Sequence, residues 1–279
     1  MANENEPPTP EPLAGDRQRR ASAAIRGFIY QFWRTVEAWI DLDAEEVLYV
    51  EGAEDFDRVR ARTADAHSEA TSVQIRHDAR SGVLTLGASK AIAALGHYWQ
   101  TRTQNPHRRI TYQYVTTMAV GTERDGVEAG LHQGERGLEL WRACADASDS
   151  GSVAEGLTRL RTYLLSRQTL DPSVASFIQS APSDQFHRDL VAPFEWVTEE
   201  PGLEEIREAV LDKLVALGRP RGVTVTDCER AAHALYVAVE EAAILLDPRP
   251  FAFATFWRSS IKLPTLRSHG RNSRNDRRR

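Results

Sequence analysis

Four acids fall close together in this chain, Glu51, Glu54, Asp55 and Asp57, and the run Gln74-Ile75-Arg76 follows them. Acids grouped in this way suit hydrolysis of a phosphodiester. That reaction needs a divalent ion to polarise the phosphate and to lower the pKa of an attacking water. Mg²⁺ prefers hard oxygen ligands and takes only one or two carboxylates from a protein. A cation beside the phosphorus stabilises the charge that develops there. In a strand, side chains repeat every two residues, so Gln74 and Arg76 project from one face, and an acid on the neighbouring strand can lie beside them. Spacing by itself also allows a plainer reading, in which the acids are solvated turn residues at strand ends.

The elements that must position these residues are legible as patterns. Residues 21–40 carry Ile25, Phe28, Ile29, Phe32, Val36 and Trp39 at intervals of three and four, which predicts a helix with one broad buried face. Val47-Leu48-Tyr49-Val50 reads as a strand bounded by acids and Gly52, and a second strand starts near Asp55. Residues 61–70 read as a polar loop. Residues 71–77 alternate, with Val73 and Ile75 on one face and Gln74 and Arg76 on the other. A short extended piece at 83–86, a helix over 88–104 and a strand over 110–117 complete an α/β sandwich on a mixed sheet. Beyond Gly126, helical patterns run through 135–146, 153–168, 173–180, 202–217 and 226–246, punctuated by Pro and Gly, with no strand longer than a few residues.

Composition bounds the answer. With 279 residues, 41% hydrophobic and 27% charged, the chain has the make-up of a globular protein. No apolar run approaches the roughly 18 residues needed to cross a bilayer. The polar, Pro-rich start lacks a signal peptide's apolar stretch. Cys144 and Cys228 form no CxxC pair and offer no zinc spacing, so they read as reduced structural thiols in a cytoplasmic protein. Net charge is −5, yet residues 261–279 hold seven Lys/Arg against one Asp, which leaves −11 on the rest. Contact with nucleic acid must therefore come from local patches or from that tail.

Taken in order, GFIYQ at 27–31, YVEGAED at 49–55, VQIRH at 73–77, GHYWQ at 96–100 and YVTTMAVGTERD at 114–125 give the sequence a family likeness. It resembles the double-stranded DNA endonuclease domain, of the PD-(D/E)xK superfamily, in CD-NTase-associated antiphage effectors. The likeness covers residues 22–125, and more loosely the helical stretch to about 246. It implies a restriction-endonuclease-like mixed-sheet core followed by a helical extension: a lead-in over 1–20, a nuclease-like core over 21–125, a helical module over 126–247, and an extension with a basic tail over 248–279. It further implies Asp55 as the metal-binding acid with Glu51 as helper, Gln74 in place of the superfamily's second acid, and Mg²⁺ or Mn²⁺ as cofactor. Asp55, Gln74 and Arg76 are then the catalytic set, and Asp55, Glu51 and Gln74 the metal set, on a double-stranded DNA substrate. A sensor or NTPase module on another chain and a homo-oligomer fit the same family setting.

One position departs from the pattern, because Arg76 stands where the family has Lys. Arginine stays charged and can hold a phosphate but cannot serve as a base. Two functions therefore stay open, a weakened metal-dependent DNA endonuclease and a catalytically silent scaffold that binds DNA or a partner. Tyr30 reads as core, and Gln31 as a neighbour of the site. His67, His77, His97 and His107 read as incidental, with His77 within reach of a phosphate. The tryptophans Trp33, Trp39, Trp99, Trp141 and Trp196 read as residues of apolar helix faces. Gly87-Ala88-Ser89-Lys90 lacks the first Gly and the spacing of a nucleotide-binding P-loop.

Overall fold

The structure, a computed structural model, describes residues 22–60, 68–77, 82–245 and 250–252. The lead-in over 1–20, His67, the loop over 61–67 and the basic tail lie outside the described residues.

The chain runs α1 (Ser22–Ile40), β1 (Glu46–Val50), β2 (Phe56–Arg60), β3 (Glu69–Arg76), β4 (Val83–Leu84), α2 (Ser89–Gln104), β5 (Arg109–Thr116) and β6 (Ala119–Val120). It continues through α3 (Gly137–Ala145), α4 (Ala154–Leu165), α5 (Pro172–Ser180), α6 (Ser183–Phe186), β7 (Phe194–Val197), α7 (Leu203–Gly218), α8 (Val225–Ala243) and β8 (Pro250–Ala252). Six strands form one sheet in the order β7-β5-β3-β2-β1-β8, and β4 pairs with β6 separately. The first three strands are antiparallel neighbours, whereas β3, β5 and β7 run parallel. The mixed α/β core and its helical extension are thus both present.

Burial on both faces of the sheet explains its composition. On one face, Leu48, Val50, Phe56, Val73, Ile75 and Val115 pack with α1, α7 and α8. On the other, Ile110, Tyr112, Tyr114, Phe194 and Trp196 pack with α2 to α6. The parity of β5, with Tyr112 and Tyr114 on one side and Val115 on the other, separates the two cores as a period of two requires. Helices lie on both faces of the parallel part of the sheet, as is usual for parallel strands, and Glu195 on the edge strand β7 stays exposed.

Local chemistry fixes several helix ends. Asp171 caps α5 by accepting from the Ser173 and Val174 amides, with Pro172 at the first helical position. Thr224 and Asp227 form a reciprocal capping box at the start of α8. The start of α2 has no side-chain cap of its own, because Ala88 stands there. Glu123, buried in the loop after β6, instead holds the turn that leads into the helix, taking hydrogen bonds from the Leu86 amide (2.6 Å), the Gly87 amide (3.3 Å) and the Tyr163 hydroxyl on α4 (2.5 Å). Its carboxylate also lies near the positive end of the α2 dipole. The amides of the Gly87 turn therefore bind an internal anion.

The segment beyond Gly126 is mostly helical, as its patterns predict, and adds two short strands to the sheet. Phe194–Val197 is a strand that extends the sheet beside β5, and Trp196 belongs to it rather than to a helix face. With only four residues between Pro193 and Thr198, the segment is too short to show a period by inspection. Residues 250–252 pair with β1 at the opposite edge. A π-turn at His187–Val191 follows α6 directly, closed by the Ala192 amide on the His187 carbonyl at 2.8 Å. The apolar stripe of α1 is buried only from Tyr30 onward, since Ile25 and Phe28 are more than half exposed. Trp33, Trp39 and Trp141 are buried, and Trp99 is partly buried against Phe177. Cys144 and Cys228 are buried and unpaired, one in each core. No described helix is long and apolar enough to cross a membrane.

Candidate active site

The acids and the Gln-Ile-Arg run meet where β2 has not yet begun to pair with β3. The β2–β3 ladder starts at Phe56↔Val73, so the next amide of β3 on that edge needs a partner other than a strand carbonyl. Asp55 supplies it, its Oδ2 accepting from the Ile75 amide at 2.5 Å. Its Oδ1 accepts from Gln31 Nε2 on α1 at 2.8 Å, and the same nitrogen lies 3.3 Å from the Ile75 carbonyl. Asp55 thus has its orientation set from the helix behind it and from the strand beside it.

Arg76 and Gln74 approach this point differently. The Arg76 guanidinium donates to the Ile75 carbonyl at 3.0 Å and sits 3.6 Å from Asp55 Oδ2. Gln74 is buried on the α2 side and donates through Nε2 to Glu54 Oε2 at 3.1 Å, with His97 Nδ1 3.3 Å away. The acid beside Gln74 is therefore Glu54, which the sequence placed in the cluster without a role. His97 Nδ1 is also 3.2 Å from Glu54 Oε1, so of the four histidines read as incidental this one reaches the site from α2. Its signal was the GHYWQ stretch, one of the ordered set of motifs. His77 instead stacks on Tyr30 with ring centres 4.7 Å apart. Tyr30 is fully buried, donates to the Pro201 carbonyl at 2.9 Å, and has its phenol pushed up to about 12, chiefly by burial.

Asp57 serves the loop rather than the pocket. It accepts from the Ala53 amide at 2.7 Å and from the Ser72 hydroxyl. A Cβ on Gly52 would meet Asp57 Oδ2 at 2.1 Å, so only glycine lets the loop close over this carboxylate. Glu51 begins the same turn with φ of 51°, in the left-handed region that side chains other than glycine enter at a cost. Its amide donates to the Asp55 carbonyl at 3.1 Å. Asp57→Ala would leave the Ala53 amide and Ser72 hydroxyl without their acceptor. We expect a loss of about 1–3 kcal/mol in chemical denaturation; an unchanged midpoint would show that the loop holds without it.

Burial dominates the electrostatics of these carboxylates. Burial raises Glu54 and Asp55 above the usual carboxylate range, and the charge of Asp55 raises Glu54 further. Glu51 is raised by burial and by Asp55 and Glu54. The Ile75 amide, Arg76 and Gln31 pull Asp55 back down, and Tyr112, His97 and Arg76 do so for Glu54, without cancelling the burial. The Tyr112 hydroxyl achieves this from close by, although it makes no hydrogen bond of good geometry.

The oxygens nearest Gln74 and Arg76 are the half-buried carboxylates of the consecutive residues Glu54 and Asp55 and the Ile75 carbonyl, and hard cations of the Mg²⁺ class take one or two carboxylates from a protein and complete the shell with water. No three His, Cys, Asp or Glu side chains converge among the described residues, so a closed, all-protein cage of the zinc type is not formed there. Arg76 already contacts Asp55 and the Ile75 carbonyl, which puts its guanidinium in the space that such an ion would share.

Neither a protein-family model nor a curated protein matches the sequence. Among solved structures, the Cap4 SAVED/CARF-domain containing receptor of Acinetobacter baumannii superposes with a TM-score of 0.50 at 11% identity, over 85% of this chain and 47% of that one. The same receptor with the cyclic trinucleotide 3'3'3'-cAAA gives 0.48 at 11% identity, over 85% of this chain and 48% of that one. The Moraxella osloensis Cap4 SAVED/CARF-domain containing receptor gives 0.48 at 10%, over 85% and 47%. The chain spans about half the length of these proteins. At such identities the likeness concerns architecture, and this chain shares its overall α/β fold with part of a Cap4 receptor.

Proposed function

We propose that this chain is a metal-dependent endonuclease for double-stranded DNA, working as an effector in bacterial antiphage defence. The observation that carries the reading is the convergence of Glu54, Asp55, Gln74, Arg76 and the Ile75 carbonyl at one end of β3. Asp55 and the Gln74 oxygen would hold Mg²⁺ or Mn²⁺, with Glu54 as the second half-buried carboxylate and Glu51 at the rim. When bound, such an ion supplies polarisation of the phosphate and a lowered pKa for the attacking water. Gln31 holds Asp55 in register, and Arg76 neutralises charge on the phosphate. The defence setting rests on the likeness to the antiphage effector nucleases and on the fold shared with Cap4 receptors. One of those receptors is known with a cyclic trinucleotide. In this reading a sensor or NTPase module on another chain provides the trigger, and assembly into a homo-oligomer belongs to the same picture.

The contacts of Arg76 favour a second reading, a nuclease-like domain that binds DNA or a partner without cutting. In that case the guanidinium permanently occupies the cation's place between Asp55 and the Ile75 carbonyl. Plasmid nicking by wild type, Arg76→Lys and Arg76→Ala in Mg²⁺ and in Mn²⁺ separates the two. Lysine is a smaller ammonium that can withdraw from the ion and lose its proton when desolvated. We expect Arg76→Lys to raise cleavage by about tenfold, which needs only about 1.4 kcal/mol off the barrier. Arg76→Ala should lose it. Inert protein in all three, with DNA binding retained, would establish the scaffold instead.

A further inference from the structure

At the other end of the sheet lies a cavity of about 630 Å³ whose lining is basic, although the chain as a whole carries −5. Four arginines line it, Arg102 at the end of α2, Arg108 and Arg109 at the entry to β5, and Arg188 in the π-turn, against the single acid Asp189. Asp189 is already shared, 3.0 Å from Arg102 and 3.2 Å from Arg188. Arg102 also lies over the Trp99 ring, which fixes its direction. Arg108 and Arg109 form no ion pair with any described residue and are exposed at the cavity, and the charge of Arg108 also reaches the Asp57 carboxylate.

The floor is built rather than incidental. Tyr98, fully buried, donates to the Asp189 carbonyl at 2.8 Å and holds the π-turn against α2. His187, nine-tenths buried, approaches the Cys144 carbonyl through Nε2 at 2.9 Å. A carbonyl can only accept, so Nε2 carries the proton, and Nδ1 is the remaining polar atom of the ring. Single π-turns inside helices are uncommon and occur often at functional sites. Here the turn sets Arg188 and Asp189 on the cavity wall.

We propose that this cavity binds a small ligand carrying two or more phosphates. Planar guanidinium groups match phosphate oxygens two at a time, and several of them converging on one concavity demand a polyanion. The volume falls in the range of small-ligand pockets, about 300–1,000 Å³. The site is separate from the carboxylate pocket. Arg76 pairs with Thr116 and Glu69 with Arg109 along β3 and β5, and seven steps at about 3.3 Å put the two regions about 23 Å apart. Occupancy would join α2, β5 and the π-turn, and α2 carries His97 to the carboxylate pocket.

The test is titration calorimetry of the full chain with sodium tripolyphosphate and, separately, with a 20-base-pair duplex. Both titrations contain EDTA, so that no metal links either ligand to Asp55 and the outcome does not depend on cleavage. Saturable binding of one tripolyphosphate per chain is expected, weakened about tenfold or more in Arg108→Ser/Arg109→Ser. Arg188→Gln, a milder change on the opposite wall, should weaken it as well. Duplex affinity should be the same in all three proteins. The Arg-rich segment 267–279 is present in each, so differences between them read the cavity. Absence of saturable binding, or equal binding by wild type and both variants, would overturn the proposal. So would a loss of duplex affinity in the double variant without tripolyphosphate binding, since the arginines would then be a contact for the DNA backbone.

Discussion

Asp55→Ala should abolish plasmid cleavage, a loss of about a thousandfold or more, which corresponds to about 4 kcal/mol of transition-state stabilisation. Asp55 is bound by α1, by the β3 amide and by Arg76 together. The variant removes half of the half-buried carboxylate pair, and the remaining oxygens are mostly neutral. The same substitution should change how the fold responds to metal and pH. Glu54, Asp55 and Glu51 are all raised above their ordinary range. The native state therefore keeps protons that the unfolded chain has released, and stability falls as pH rises above the ordinary carboxylate range. A divalent ion compensates the same charges. Mn²⁺ should thus raise the melting temperature of wild type more at pH 8 than at pH 5, and Asp55→Ala should lose most of that difference. Full cleavage by Asp55→Ala, with an undiminished Mn²⁺ shift, would remove this residue from the site.

Glu123→Ala should cost about 3 kcal/mol or more in urea denaturation, the largest stability effect expected outside the aromatic core. The Leu86 and Gly87 amides and the Tyr163 hydroxyl all lose their acceptor, and removing the partner of a buried polar group costs about 1–3 kcal/mol each. Burial, the largest cause of the raised Tyr163 phenol, remains when Glu123 is gone, so ionisation does not relieve the loss. A Cβ at Gly87 would meet the Tyr163 hydroxyl at 2.3 Å, which leaves little room for a substitute contact. Glu123→Gln, which keeps one carbonyl acceptor, should lose less. Because Glu123 ties the start of α2 to α4, its removal should also loosen His97 at the carboxylate pocket. A midpoint shift below about 0.5 kcal/mol would show that water replaces the carboxylate.

The sequence by itself determined the elements with a clear period. Periodicity located α1, β1, β3, α2, β5, α3, α4, α5, α7 and α8 to within a few residues. Alternation along residues 71–77 also separated Val73 and Ile75 from Gln74 and Arg76, and the structure keeps these two pairs on opposite faces of β3. Alternation alone allowed only that some acid of the neighbouring strand lies beside Gln74 and Arg76, and it was the family resemblance that pointed to Asp55.

Only the tertiary structure decided what lies beyond such local rules. Whether Glu51 or Glu54 faces Gln74 depends on how the β1–β2 loop folds over Asp57, and that in turn depends on the glycine at 52. His97 reaches Glu54 because α2 packs across the sheet, a contact between residues 43 positions apart, as their numbers show. Phe194–Val197 became a strand because β5 offered an unpaired edge and an aromatic core to complete, not because four residues carry a period. The basic cavity is assembled from arginines on α2, β5 and the π-turn, which no linear spacing connects. Periodicity is set by bonds between near neighbours and is written along the chain. A pocket is set by which faces the two cores bury together, and the sequence records that only through the packing of the whole.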